Sequence, residues 1–180
     1  GINIATSYAL GTCFATTMDI PYCRLQTVLS VSDDIGEGRS YYYSEALRIK
    51  SIIDRCRTKS NGLMDIVLID EIFKGTNTIE RISIADAVIR YLSALDGTYV
   101  LVSTHDIELA RSFRETLDTY HFSESIHDGK LVFNYRLTPG VEYTRNAISI
   151  LKNCGYPDEI IRNAESNTLK VSANMDSISL

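Results

Sequence analysis

Residues 66–71 join an apolar, mostly β-branched run, Ile66-Val67-Leu68-Ile69, to two adjacent carboxylates, Asp70 and Glu71. Such a run reads as a strand buried on both faces of a parallel sheet. Paired acids at its end suit metal-assisted nucleotide hydrolysis, in which one carboxylate holds Mg²⁺ and the next orients and deprotonates a water. The same string also describes an ordinary strand end with two solvated acids, so the surrounding residues must decide. Gly75-Thr76-Asn77-Thr78 follows. It is either a capped turn or a polar loop that offers hydroxyls and backbone amides across a subunit contact. A second apolar run, Tyr99-Val100-Leu101-Val102, reads as another buried strand and ends at Ser103-Thr104-His105-Asp106. There His105 is a candidate sensor of a γ-phosphate or a polar strand terminator. If the two strands are parallel neighbours, both polar ends share the carboxyl edge where open α/β sheets bind ligands.

Gly36-Glu37-Gly38-Arg39-Ser40 precedes a helix-like stretch. Its amides and the Ser40 hydroxyl could meet an anion at the positive helix end, or Ser40 could simply be an N-cap. A dinucleotide fingerprint is excluded, because the third glycine and a leading strand are lacking. His121 and His127 have no cysteine or acid constellation around them and read as surface or hairpin residues. Tyr41-Tyr42-Tyr43 could stack on bases, but a helix lets only one or two of the three share a face, which favours partial core burial. No nucleophile elbow with a Ser-His-Asp order is present.

The elements that must hold these residues follow from periodicity. Residues 2–14 are small, apolar and Ala-rich and suit a helix. Residues 25–31 alternate as a half-buried strand. Over 41–57, Tyr42, Ala46, Ile49, Ile53 and Cys56 recur at three and four residues, a core-facing helix stripe. Asn77, with Glu80 three residues on, opens another helix whose apolar face is Ile82, Ala85, Val88, Ile89 and Leu92. The order strand, helix, strand, helix implies right-handed crossovers in an α/β layer. Residues 116–123 and 130–137, bridged by Asp128-Gly129, predict an antiparallel hairpin added to the sheet. Two helices over 144–152 and 158–168, separated by Gly155, predict a helical hairpin, and the polar residues 171–180 a loosely held tail.

The chain has 180 residues, of which 44% are hydrophobic, enough for one sizeable core. A net charge of −5 argues against a general phosphate-binding surface on this segment. Cys13, Cys23, Cys56 and Cys154 form no C-x-x-C pair and read as reduced thiols. With no apolar run near 18 residues and no basic-then-apolar leader, the expectation is a cytoplasmic protein without a membrane span. The chain opens already inside a helix-like stretch, which predicts a fragment.

Together, S-D-D-I-G-E-G-R-S-Y-Y-Y-S-E-A at 32–46, I-V-L-I-D-E-I-F-K-G-T-N-T at 66–78 and V-S-T-H-D-I-E-L at 102–109 resemble the C-terminal ATPase domain (domain V) of the MutS family of DNA mismatch repair proteins. The stretch at 146–165 resembles the helical hairpin that ends that domain. The resemblance implies an α/β P-loop NTPase of ABC-ATPase type, with a mostly parallel sheet flanked by helices. It divides the chain into a partial ATPase core over 1–140, a helical hairpin over 141–170 and a tail over 171–180. It implies ATP and Mg²⁺ as cofactors, with Asp70 as the Walker B metal ligand, Glu71 as general base and His105 as the switch histidine. Gly38 and Ser40 would belong to the signature loop that reaches the partner's site, and Thr76 and Asn77 to the loop crossing the interface. The implied partners are a second copy through the ATPase domain, DNA held by other domains of the parent, and further repair-pathway proteins.

Phe73 stands where the family usually has Gly, Lys74 where it has Arg, and Ala147 where a Gly is common, which marks a divergent branch. No G-x-x-x-x-G-K-[ST] loop occurs in the sequence. In the family that loop and its strand lie just upstream of the first helix, so the polypeptide alone is expected to bind ATP weakly and to expose strand edges. The alternatives are a non-catalytic dimerisation or scaffold module and another ABC-type ATPase. The lack of an L-S-G-G-Q string and the hairpin ending weigh against the latter.

Overall fold

The computed structural model describes residues 1–29, 41–58, 62–127, 130–142 and 147–176. The chain forms two compact units, Gly1–Ser112 and Phe113–Leu180.

The first unit is an α/β layer in the order α1 (Ile2–Leu10), β1 (Cys23–Val28), α2 (Tyr41–Arg57), β2 (Met64–Asp70), α3 (Thr78–Ser93), β3 (Thr98–Ser103) and α4 (Ile107–Ser112). The three strands are parallel in the order β1-β2-β3, with Val28 opposite Ile69 and Asp70 opposite Ser103. The chain steps across this sheet in one direction, so right-handed crossovers place α2 and α3 on the same face. The core fills that side: Val28, Val67 and Ile69 of the sheet, Ile49, Ile52 and Cys56 of α2, and Ala85, Ile89 and Leu92 of α3 are all buried. Asn77 caps α3 as its sequence predicts. Its Oδ1 accepts the Glu80 N–H at 3.0 Å, while Thr76 and Asn77 both donate to Glu80 Oε2.

The opposite face is only partly covered. Gly1 lies against Leu68, and at the other end of α1 the Tyr8 hydroxyl accepts the Cys23 N–H at 2.8 Å. Helix α1 therefore runs from the carboxyl half of β2 toward the start of β1. It ends at Leu10 rather than near residue 14, because Gly11 turns left-handed (φ 67°) and returns its N–H to the Ser7 carbonyl. The strand expected over 25–31 runs from Cys23 to Val28, and residues 30 and 31 lie outside the described ones. The outer strand β3 corrects the expectation of a fully buried run, since Tyr99 and Leu101 are 55% and 58% exposed. Hydrophobicity fixes which residues form the strand, but among the described residues of this unit helices cover one of its faces.

The second unit contains β4 (Tyr120–His121), β5 (Glu124–His127), β6 (Lys130–Phe133), β7 (Thr138–Pro139), α5 (Ala147–Asn153) and α6 (Asp158–Asp176). β5 and β6 are antiparallel with His127 opposite Lys130, and β4 pairs β7. This corrects the hairpin expected from 116–123 and 130–137: the strands form two-stranded sheets of their own and do not extend the parallel sheet. The ladder breaks because Asn134 accepts the Arg136 N–H through its side chain and Tyr135 sits at φ 52°, a two-residue offset before pairing resumes. Residues 116 and 117 instead bond back to the Phe113 carbonyl in a tight turn. Gly155 at φ 78° ends α5, with its N–H on Lys152 and that of Tyr156 on Leu151, and α6 packs back on α5. α6 continues past residue 168 to Asp176, there being no Gly or Pro within it to stop it. Among the described residues no helix is long and apolar enough to cross a membrane.

Candidate active site

The two acids and the histidine meet at the carboxyl edge of the parallel sheet. Parallel register sets Asp70 beside Ser103, whose hydroxyl donates to Asp70 Oδ1 at 2.6 Å. The Glu71 N–H extends the ladder by one bond to the Ser103 carbonyl at 3.0 Å. The chain then leaves the sheet abruptly, with Glu71 left-handed at φ 59°. That turn swings its carboxylate toward β3, where Oε1 accepts the His105 N–H at 2.9 Å and lies 3.5 Å from His105 Nε2. The Glu71 side chain is 14% exposed and that of His105 98% exposed. A fixed, shielded carboxylate thus stands beside an imidazole open to solvent.

Two further ties hold this edge. Arg81 at the start of α3 grips Asp106 with Nε and Nη2 at 2.9 and 2.8 Å, and the Asp106 N–H reaches Thr104 Oγ1 at 3.0 Å. This fork sets the corner that carries His105, and the Asp106 carboxylate raises the Arg81 proton affinity further, keeping it charged. On the other side, Ile72 and Phe73 are buried, and Phe73 is left-handed at φ 58°. Its N–H donates to Glu45 Oε1 at 2.6 Å and its ring packs on Tyr42 at 5.8 Å between centroids. Burial pushes the Glu45 carboxyl above its ordinary value, opposed by the Phe73 and Lys74 amides. Left-handed backbone at two non-glycine residues costs on the order of 1–3 kcal/mol each, so the packing around 71–73 must over-determine it.

The expected residues therefore divide. Asp70, Glu71 and His105 come together. Thr76 and Asn77 turn their side chains to Glu80 at the start of α3. Gly38 and Ser40 lie outside the described residues. Sequence reasoning passed over Ser103, Arg81, Asp106 and Glu45. Ser103 could have been found from register, as the residue that ends the neighbouring parallel strand. Glu45 sits in the 42-45-49-52-56 stripe of α2, an acid on an otherwise apolar face.

A parallel α/β layer with paired acids and a histidine on its carboxyl edge, followed by a helical hairpin, agrees with the family comparison. The family profile described as MutS domain V matches residues 11–172, and the chain belongs to that family. Among particular relatives, it is 31% identical over 150 residues to "DNA mismatch repair protein MutS 2" of Haloarcula marismortui, covering 82% of this chain and 15% of that protein. It is 29% identical over 150 residues to "DNA mismatch repair protein MutS" of Ehrlichia chaffeensis, covering 82% of this chain and 18% of that protein. The chain thus spans less than a fifth of the length of either relative.

Proposed function

We propose that this chain is the ATPase part of a MutS-type DNA mismatch repair protein, in which ATP binding and hydrolysis at composite sites between two copies drive conformational change on DNA. The observation that carries the reading is the Asp70, Glu71 and His105 constellation on the carboxyl edge. Asp70 is exposed and bonded to a hydroxyl, a donor set that fits Mg²⁺, which takes one or two protein oxygens and leaves the rest of its shell to phosphate and water. Among the described residues no group of three His, Cys, Asp or Glu side chains is placed to hold a metal. Bound Mg²⁺ would neutralise charge on the phosphates. Glu71, anchored by the His105 amide, would orient a water and take its proton. The exposed His105 ring would sense the γ-phosphate.

In the ABC-type arrangement this reading extends to Gly38 and Ser40, which would meet the partner's triphosphate, and to Thr76 and Asn77, whose loop would cross the interface. A phosphate-cradling loop would have to meet this sheet at the amino end of α1. The start of α1 against Leu68, two residues before Asp70, supports that placement. DNA and other repair proteins would be engaged elsewhere in the protein. The test is ATP turnover by the full-length protein. Glu71→Gln is expected to lower kcat by about 10²–10⁴-fold with nucleotide binding kept. Equal turnover in the variant would remove Glu71 as the base, whereas none in either protein with DNA supplied would favour a non-catalytic dimerisation module.

A further inference from the structure

Glu45 is a charged residue where the fold gives no packing reason for one. It is 8% exposed, its neighbours on the α2 stripe are Ile49, Ile52 and Cys56, and among the described residues its Oε2 has no hydrogen-bond partner. A buried acceptor left open is costly, so an apolar residue would serve the core better. What the acid does is grip backbone: Oε1 takes the Phe73 N–H at 2.6 Å, and the next amide along, that of Lys74, also favours its charged form. Those amides belong to the segment held left-handed at Glu71 and Phe73.

We infer that Glu45 is a positioning residue of the hydrolytic site, tying α2 to the backbone of 73–74 and so fixing where Glu71 stands. This rests on the ATPase reading above. Three bonds then define the Glu71 position: its N–H to the Ser103 carbonyl, its carboxylate to the His105 N–H, and the grip of Glu45 two residues on. The first two come from the end of β3 and the loop after it, and the third from α2. The helix that begins directly after Ser40 is thereby bonded to the strand exit that carries the base, without passing through substrate.

The experiment compares Glu45→Met, which keeps the volume and removes the acceptor, with Glu45→Gln, which restores an acceptor oxygen, in the full-length protein. Glu45→Met is expected to lower kcat about tenfold to a hundredfold, as a misplaced base would, with KM for ATP changed less than about twofold. Glu45→Gln is expected to recover kcat to within about threefold of the parent, and amide exchange at Phe73 and Lys74 should quicken in Glu45→Met alone. A folded Glu45→Met with parental kcat overturns the inference, as does equal impairment of the two variants. Should Glu45→Met not fold, Glu45→Asp, which withdraws the carboxylate by one methylene, is read by the same split between kcat and KM. No turnover in the parent overturns the ATPase reading, and unchanged turnover in Glu71→Gln overturns Glu71 as the base; either removes this role with it. A Glu71→Gln loss beside a silent Glu45→Met overturns this role alone.

Discussion

Strand β2 carries an aspartate near each end, and the molecule treats the two oppositely. Asp65, at the amino end, is 6% exposed and accepts Arg24 Nε and Nη2 at 2.9 and 2.7 Å and Gln26 Nε2 at 3.2 Å. Arg24 goes on to meet the Arg55 and Thr58 carbonyls at the end of α2, where a cation suits the helix dipole. The Asp65 hydrogen bonds keep that guanidinium charged by raising its proton affinity. Asp70, five residues on and on the other face of the strand, is exposed and makes one hydrogen bond among the described residues, from Ser103. At one end the acid's capacity is consumed inside the fold, and at the other it is left open. The difference teaches how to tell a carboxylate the fold has used up from one still free to take a ligand: by how much of its bonding the protein completes.

The strained carboxyl end gives the largest expected effect. Phe73→Gly relieves a left-handed residue by about 1 kcal/mol but deletes a buried ring whose loss costs about 3–5 kcal/mol. Denaturant melts should therefore show a net loss of about 2–4 kcal/mol, and a variant as stable as the parent would mean that strain dominates this end. Next, Asp65→Asn should destabilise by about 1.5–3 kcal/mol, because Arg24 loses its charged partner. Asp70→Asn should stay within about 0.5 kcal/mol. Equal losses from the two substitutions would erase the contrast between the ends. The smallest effect concerns pH. Because burial raises the Glu45 carboxyl above 4.5, the folded state binds more protons than the unfolded one over the interval above that value. Stability from this group then falls as pH rises. Glu45→Gln should accordingly gain on the parent between pH 4 and pH 7 in parallel melts, and a constant difference would show that the carboxyl titrates normally.

Much of the first unit is legible in the sequence because its signals are local. The apolar stripe gives α2 its observed bounds, Tyr41–Arg57, and the Asn77 and Glu80 pair gives the start of α3. Two apolar runs give β2 and β3, and their polar ends give Asp70, Glu71 and His105. The rest depends on what packs where. The exposure of Tyr99 and Leu101 depends on which face of the sheet helices cover, which no pattern within β3 encodes. The offset between β4–β7 and β5–β6 depends on Tyr135 taking a left-handed conformation, uncommon for a bulky residue. Glu45 and Asp65 were passed over for one reason: each is an acid inside an apolar stretch, where a pattern of hydrophobic positions treats it as noise.

The residue at 73 also sets the tempo of this edge. A glycine at a left-handed position can flip its peptide with little resistance, so a strand exit built on one could rearrange within nanoseconds. Here the same flip must pull a phenylalanine ring out of the core, part it from Tyr42 and break the Glu45 bond. Rearrangement of 71–74 is therefore a local unfolding event, on the microsecond scale or slower. Wherever a hydrolytic cycle requires this segment to move, Phe73 makes the motion a gated step with its own rate.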